Sequence, residues 1–220
     1  MQATRSIPIV MVAYDRDPVA IGLVRSLAQP GGNVTGVFSR QPEPAGKRLE
    51  LLKEMLPGLS TVAVLLGPGG ERQLDALAAP ARALGLRLQS VEVRDTKALE
   101  AAFRRAQRMK AQAVIVPFSP LLHTQRARIA ALALDARLPT LCQEYDFVEA
   151  GALVSYAPDR DAILVRVAHF IDRLLKGAHP GDLPVERADT FKLAVNLRTA
   201  HALGVPVPES ILLRANQVIR

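Results

Sequence analysis

Short apolar runs of strand length alternate with amphipathic stretches of helix length along nearly the whole chain. Thr61 to Leu66 (TVAVLL), Leu86 to Val93, Ala113 to Val116 and Leu138 to Cys142 read as strands. Between them lie a helix carrying Leu74, Leu77, Ala81 and Leu84, a second carrying Leu99, Ala102, Phe103 and Ala106, and a third over Leu121 to Leu134. An apolar run without polar alternation is the mark of a strand buried on both faces. Strands that alternate with helices of this length leave few solutions besides a parallel sheet wound on both sides. Thr61 to Cys142 is therefore a self-contained β-α-β-α-β-α-β block.

The flanking segments follow the same rhythm. Ile7 to Ala13 reads as a buried strand. A helix is predicted after it, capped by Asp17, with Pro18 at its first position and Ala20, Leu23, Val24 and Leu27 as its stripe, stopped by Pro30-Gly31-Gly32-Asn33. Val34 to Phe38 is a strand and Glu43 to Leu56 a helix. Pro80 predicts a kink or a restart in its helix, because an interior proline costs ~3 kcal/mol. After Cys142 comes a polar and aromatic loop, then a strand over Gly151 to Ser155, then a helix capped by Asp159. That helix has the cleanest stripe in the chain: Ile163, Leu164, Val167, Phe170, Ile171, Leu174 and Leu175. The tail reads as a strand over Phe191 to Val195, a short helix over Leu197 to Leu203, a turn at Pro206 to Pro208 and a last helix capped by Ser210.

Composition narrows the function classes. A chain of 220 residues with 49% hydrophobic content can bury a real core. The single Cys142 excludes an internal disulfide and a cysteine-rich metal site, and as the end of an apolar strand it reads as a small buried hydrophobe. The formal charge is +7, yet the basic residues are scattered. Their densest cluster, Arg104, Arg105, Arg108 and Lys110, falls on the polar side of a predicted helix, which reads first as a solvated face and second as an anion-attracting patch. No apolar run approaches the ~20 residues of a membrane span. Ile7 to Tyr14 lacks the charge and cleavage pattern of a signal peptide, so the chain as written is expected to remain cytoplasmic.

Chemical motifs are weak. Gly67-Pro68-Gly69-Gly70 stands between a strand and a helix, where a phosphate cradle belongs, but no Lys-Ser or Lys-Thr follows and the spacing is not that of a dinucleotide loop. His123, His169, His179 and His201 show no ligand spacing, so no metal and no cofactor is expected. No Gly-x-Ser-x-Gly elbow occurs, and Ser119 has only His123 near it. Glu144 and Asp146, two apart in a strand-like loop, point the same way and could share acid-base work. Tyr14, Tyr145 and Tyr156 are not interleaved with basic residues, so nucleic acid is not an expected partner.

What survives is a set of loops at the carboxyl ends of strands, the place where open α/β sheets bind ligands. Candidate ligand contacts are Tyr14, Asp15, Gly67, Gly69, Ser119, Glu144, Tyr145, Asp146, Ser155 and Tyr156. This inventory suits a small polar ligand and contains no reaction centre.

Four segments carry a resemblance to a known family: IPIVMVAYDRDPVAIGLVRSLAQPGGNVTGV, GKRLELLKEMLPGLSTVAVLL, ARIAALALDARLPTLCQEYDFVEAGALVSYAPD and FKLAVNLRTAHALGVPVPESILLRANQVI. In this order they resemble the substrate-binding proteins of bacterial ABC transporters related to the tryptophan/tyrosine type. The resemblance implies an α/β, type I periplasmic-binding-protein-like fold of two doubly wound parallel-sheet lobes, with the ligand in the cleft between them and an ABC permease as partner. It implies residues 1–58 as a partial first lobe, 59–146 as the second, and 147–220 as a hinge crossover returning to the first. Periplasmic location is its expectation.

Two departures shape the expectation further. Family members generally carry an export signal and several more β-α units before the strand matching Ile7 to Ala13. The first lobe is therefore expected to be incomplete: a fragment, a truncated product, or a protein that completes itself as a homodimer. Amino-acid-binding relatives also place a carboxylate for the α-amino group where this chain has Pro117-Phe118-Ser119-Pro120, so the resemblance does not carry an aromatic amino acid over to it. The leading reading is a non-catalytic solute-binding protein that closes on a small polar or aromatic ligand. On that reading Tyr145 and Tyr156 supply stacking faces, Ser119 and Ser155 hydroxyls, and Glu144 or Asp146 a partner for a cationic group. The competing readings are a small Rossmann-like enzyme using Glu144 and Asp146, and a ligand-sensing module.

Overall fold

The computed structural model describes residues 4–14, 17–39 and 42–220; of Tyr14, Pro42 and Glu43 only the backbone is described. The strands are β1 (Ile9–Tyr14), β2 (Val34–Ser39), β3 (Thr61–Leu66), β4 (Arg87–Glu92), β5 (Ala113–Val116), β6 (Thr140–Cys142), β7 (Val154–Pro158), β8 (Glu186–Arg187), β9 (Phe191–Asn196) and β10 (Gln217–Ile219). The helices are α1 (Pro42–Met55), α2 (Glu71–Ala83), α3 (Leu99–Arg108), α4 (Pro120–Thr124), α5 (Arg126–Asp135), α6 (Asp146–Glu149), α7 (Arg160–Leu175), α8 (Leu197–Leu203) and α9 (Glu209–Arg214). The strand pairs β1–β2, β2–β8, β3–β4, β3–β5, β5–β6, β6–β7 and β9–β10 are all parallel.

The chain divides into two compact units. The smaller comprises Met1–Gln41 and Pro158–Thr190, and the larger Pro42–Ala157 and Phe191–Arg220. The chain thus passes between them three times. These bounds differ from the predicted lobes at 58/59 and 146/147. Helix α1 belongs to the larger unit because it lies against α2, and the tail belongs there because β9 and β10 extend its sheet.

The larger unit holds a seven-stranded sheet in the order β10-β9-β7-β6-β5-β3-β4. Its strands feed two apolar cores by simple alternation. Val62, Val64, Ile115 and Leu141 join one, with Leu49, Leu52, Leu77 and Ile211 from the covering helices. Ala63, Leu65, Val114, Val116 and Cys142 join the other, with Phe103, Ile129 and Phe147. The order reverses at β3: β4 lies on one side and β5 on the other. The switch point, outside the carboxyl ends of β3 and β5, is where open α/β sheets place their ligands.

The smaller unit holds β1-β2-β8. All six residues of β2 are buried, while Ile9 and Val12 of β1 are exposed. Gly36 of β2 has φ +133°, and a Cβ there would lie 2.2 Å from the Met11 carbonyl oxygen, so only glycine permits this approach of β2 to β1.

Several local predictions are corrected. No helix follows Asp17. Its carboxylate accepts from Val19 N and Ala20 N as a cap would, but Gly22, at φ +69°, closes the turn at once: Leu23 N donates to the Pro18 carbonyl and Gly22 N to that of Val19. Helix α2 runs through Pro80 without a restart. The helix predicted over Leu121 to Leu134 is two, broken at Gln125, whose φ of −104° and ψ of 14° leave the helical well. The strand predicted at Gly151 to Ser155 begins at Val154, because Gly151 ends α6. Ser210 lies inside α9 and donates to Glu54 Oε1 at 2.6 Å instead of capping. The stripe of α7 is only partly covered: Ile163 and Phe170 are buried, while Leu164, Ile171 and Leu175 face solvent. Asp159 caps α7 as predicted, accepting from Asp161 N and Ala162 N.

Candidate functional site

The candidate site is built on the larger unit, from the loops that leave β3, β5 and β6. After β3, Gly67 begins a turn closed by Gly70 N donating to the Gly67 carbonyl at 3.1 Å. Gly69 holds φ +78° within it. After β5, Pro117 and Phe118 lead to Ser119, the residue before α4. These two loops touch at the switch point. A Cβ on Gly67 would stand 2.1 Å from Ser119 Oγ, so the turn can close only if this residue has no side chain.

The backbone of one residue, Phe118, ties the loops together. Phe118 N donates to Gln143 Oε1 at 3.2 Å, and Gln73 Nε2 donates to the Phe118 carbonyl at 3.0 Å. Gln143 follows β6 and Gln73 stands on α2, so the exits of all three strands hold one another in place. The Ser119 side chain is 5% exposed, and among the described residues its hydroxyl has no hydrogen-bond partner. A buried hydroxyl left unpaired costs stability, so such groups are rare and call for an explanation.

Beside Ser119 lies a charged cluster. His123 follows one helical turn later, its N–H donating to the Ser119 carbonyl at 2.8 Å. Its ring faces both carboxylates of the next loop: Nδ1 lies 2.9 Å from Glu144 Oε1, off the line of a good hydrogen bond, and Nε2 lies 3.8 Å from Asp146 Oδ2. Phe147 meets the ring edge-on, with centroids 6.5 Å apart. Glu144 and Asp146 are not in a strand-like loop as predicted. Val148 N donates to the Tyr145 carbonyl at 2.7 Å, which turns Asp146 into the first residue of α6. The two carboxylates nevertheless converge on one imidazole. Burial, then the charges of Glu149 and Asp146, raises the Tyr145 phenol above its usual range. Burial, with the Glu144 charge behind it, raises the Cys142 thiol well above its own, which fits a packed thiol and not a nucleophile.

The other predicted residues lie as follows. Ser155 pairs in register with Cys142 and is buried, its hydroxyl without a hydrogen-bond partner among the described residues. Tyr156 stacks on Phe191 with centroids 5.4 Å apart, and its carbonyl accepts from Arg48 Nε at 2.9 Å. One face of that ring is therefore occupied within the unit. The side chain of Tyr14 and the whole of Asp15 lie outside the described residues. Sequence reasoning noted His123 as the histidine nearest Ser119 but did not place it among the ligand contacts, and it did not single out Gln73, Gln143 or the fully buried Arg48. The available signal for His123 was its position four residues after Ser119, which puts the two on one face of a helix starting at Pro120.

The pattern of the family described as ABC transporter substrate binding protein matches residues 1–219. The chain belongs to that family. A tyrosine-binding protein of Clostridioides difficile strain R20291 is 28% identical over 206 residues; the match takes in 92% of this chain and 59% of the relative. The chain thus spans about three fifths of that relative's length. A crystal structure from Streptococcus pneumoniae of an ABC domain in complex with L-tryptophan superposes with a TM-score of 0.85 at 31% identity, over 99% of this chain and 75% of that one. A conserved domain protein from Vibrio cholerae superposes with a TM-score of 0.87 at 30% identity, over 98% and 73%. The parallel α/β architecture of this family member is thus that of periplasmic-binding-protein-like structures.

Proposed function

We propose that this chain acts as the solute-binding component of an ABC-type uptake system, holding a small polar or aromatic molecule without making or breaking bonds. Its partner on this reading is an ABC permease, and its place of work is the extracellular or periplasmic side, where the family acts. The contact residues proposed on the larger unit are Gly67, Gly69, Ser119, Glu144, Tyr145, Asp146, Ser155 and Tyr156, with His123 added.

The observation that carries the reading is the buried Ser119 hydroxyl at the switch point, which has no hydrogen-bond partner among the described residues and lies beside Gly67 and the His123–Glu144–Asp146 cluster. A ligand hydrogen-bonding there would satisfy a group whose desolvation the fold has already met. The tyrosine-binding relative and the tryptophan-bound structure make aromatic amino acids the first compounds to try. Self-association, the further partner expected from the sequence, is supported by the apolar side chains exposed on α7, and light scattering of the eluting protein tests it.

The decisive measurement is calorimetric titration with L-tyrosine, L-tryptophan, nucleosides and small aromatic acids. Saturable binding without turnover, weakened about ten-fold by Ser119→Ala as expected for one lost hydrogen bond in a buried site, supports the proposal. Unchanged affinity in Ser119→Ala, or turnover abolished by Glu144→Gln or Asp146→Asn, would sink it, the latter in favour of an enzyme.

A further inference from the structure

Six helices of the described chain end in one backbone closure. A residue one or two positions beyond the helix takes a positive φ and donates to the carbonyl three residues back, and the next N–H reaches back five. In α2, α6, α7 and α8 that residue is glycine: Gly85, Gly151, Gly177 and Gly204. In α3 and α5 it is Lys110, at φ 55°, and Arg137, at φ 53°. These are the non-glycine residues of positive φ among the described residues, and both are cations. A side chain in this conformation costs stability that glycine would not.

Helix electrostatics explains one of the two. The last turn of α5 carries Asp135 and no cation, so Arg137 also answers the negative end of its helix. The last turn of α3 already carries Arg105 and Arg108, so Lys110 adds charge that its helix end does not need. Both strained cations stand at the amino-end rim of the larger unit's sheet, and hydrogen bonds make that rim continuous. Gln107 Nε2 donates to the Ala136 carbonyl at 3.3 Å, joining the ends of α3 and α5. Gln112 Oε1 accepts from Ser60 N at 2.8 Å, and Arg87 N donates to the Ser60 carbonyl at 2.7 Å. Arg87, Arg105, Arg108, Lys110 and Arg137 are all exposed there, and none has an ion pair among the described residues; Asp135 subtracts a single charge. Beside Arg137 the apolar side chain of Leu134 is also exposed.

We propose that this rim docks on an anionic lipid surface. Spread-out, flexible cations with an exposed leucine among them suit a fluid layer of headgroups and not a shaped pocket. Among the described residues no exposed aromatic side chain accompanies them to stack on bases, which disfavours nucleic acid. This rim lies at the end of the sheet opposite the candidate ligand site.

The test is co-sedimentation of the full chain with phosphatidylcholine vesicles with and without about 30% phosphatidylglycerol, at low and high salt. The expected result is binding at least about ten-fold tighter to the anionic vesicles, lost at high salt. The variant Lys110→Gly/Arg137→Gly removes two charges while relieving both strained residues. It is expected to melt at or above the temperature of the wild type and to bind anionic vesicles about ten-fold more weakly. Equal binding to both vesicle types overturns the proposal, as does undiminished binding by the variant. A chain that ignores both vesicles also overturns it, in favour of an acidic protein face.

Discussion

The two units treat the same kind of strand differently. In the larger, β3, β5 and β6 are covered on both faces, and their residues feed two cores in alternation. In the smaller, β2 is wholly buried, but one strand further out Ile9 and Val12 of β1 are exposed, and on α7 Val165 is 71% and Leu175 83% exposed. The strands are all short, mainly apolar runs, and α7 carries an apolar stripe. An apolar run states what a strand needs, and its neighbours decide how much of that is met. The candidate ligand site stands on the unit where the need is met, which is what holding Gly67, Ser119 and His123 to fixed distances requires.

The sharpest way to break this contrast is to cut matched side chains from each unit. Ile115→Ala, at the centre of the larger sheet, is expected to lower the unfolding free energy by about 2–5 kcal/mol in urea titration, because it leaves a cavity in close-packed surroundings. Leu175→Ala on α7 should stay within about 0.5 kcal/mol of the wild type. Similar losses at both positions would mean that α7 is covered in solution and the contrast false. A next, smaller effect targets the backbone of the smaller unit. Gly36→Ala must push β2 away from Met11 and is expected to cost about 1–3 kcal/mol. Hydrogen exchange should show it opening β1 and β2 while β5 keeps its protection, since the two units have separate cores. Loss of protection in β5 as well would show that the units unfold as one.

Much of this was legible in the residues. Thr61–Leu66, Ala113–Val116 and Leu197–Leu203 have the predicted bounds, because the first two are continuous apolar runs and the third is closed by Asn196 at its start and Gly204 at its end. The helix expected after Asp17 was not legible, because its cap and stripe are real and a single left-handed glycine overrides both. The α7 stripe was legible as apolar, but how much of it is covered was not, since a helix cannot announce how wide a surface it will find. The strand-end loops were predicted as a set, and the structure brings Gly67, Ser119, Glu144 and Asp146 together through Phe118 and His123. The glutamines that lock them could not be foreseen, because their bonds to Phe118 join residues 45 and 25 apart. Lys110 and Arg137 were part of the charge count, but their strained backbone is invisible until the helix ends are placed.

The smallest expected effect concerns a polar latch inside the better-packed unit. Helix α9 is tied to α1 by Glu54, which accepts from Ser210 Oγ at 2.6 Å and pairs with Arg214 Nη2 at 2.5 Å. The Ser210 hydrogen bond, then the one from Arg214, holds the Glu54 carboxyl below its usual value. A carboxyl depressed in the folded state contributes stability above its unfolded value, and loses it as the pH falls through the folded one. Both side chains remain more than a third exposed or close to it, so screening keeps the whole contribution under about 1 kcal/mol. The protection of the α9 amides, taken relative to the intrinsic exchange rate at each pH, should therefore fall as the solution is acidified from neutral to below the ordinary carboxylate range. Glu54→Gln should exchange faster at neutral pH and respond less to acid. The core strands of the same unit should show neither change. If α9 in the wild type keeps its protection through the acid range, Ile211 in the core is holding that helix, and the latch adds nothing.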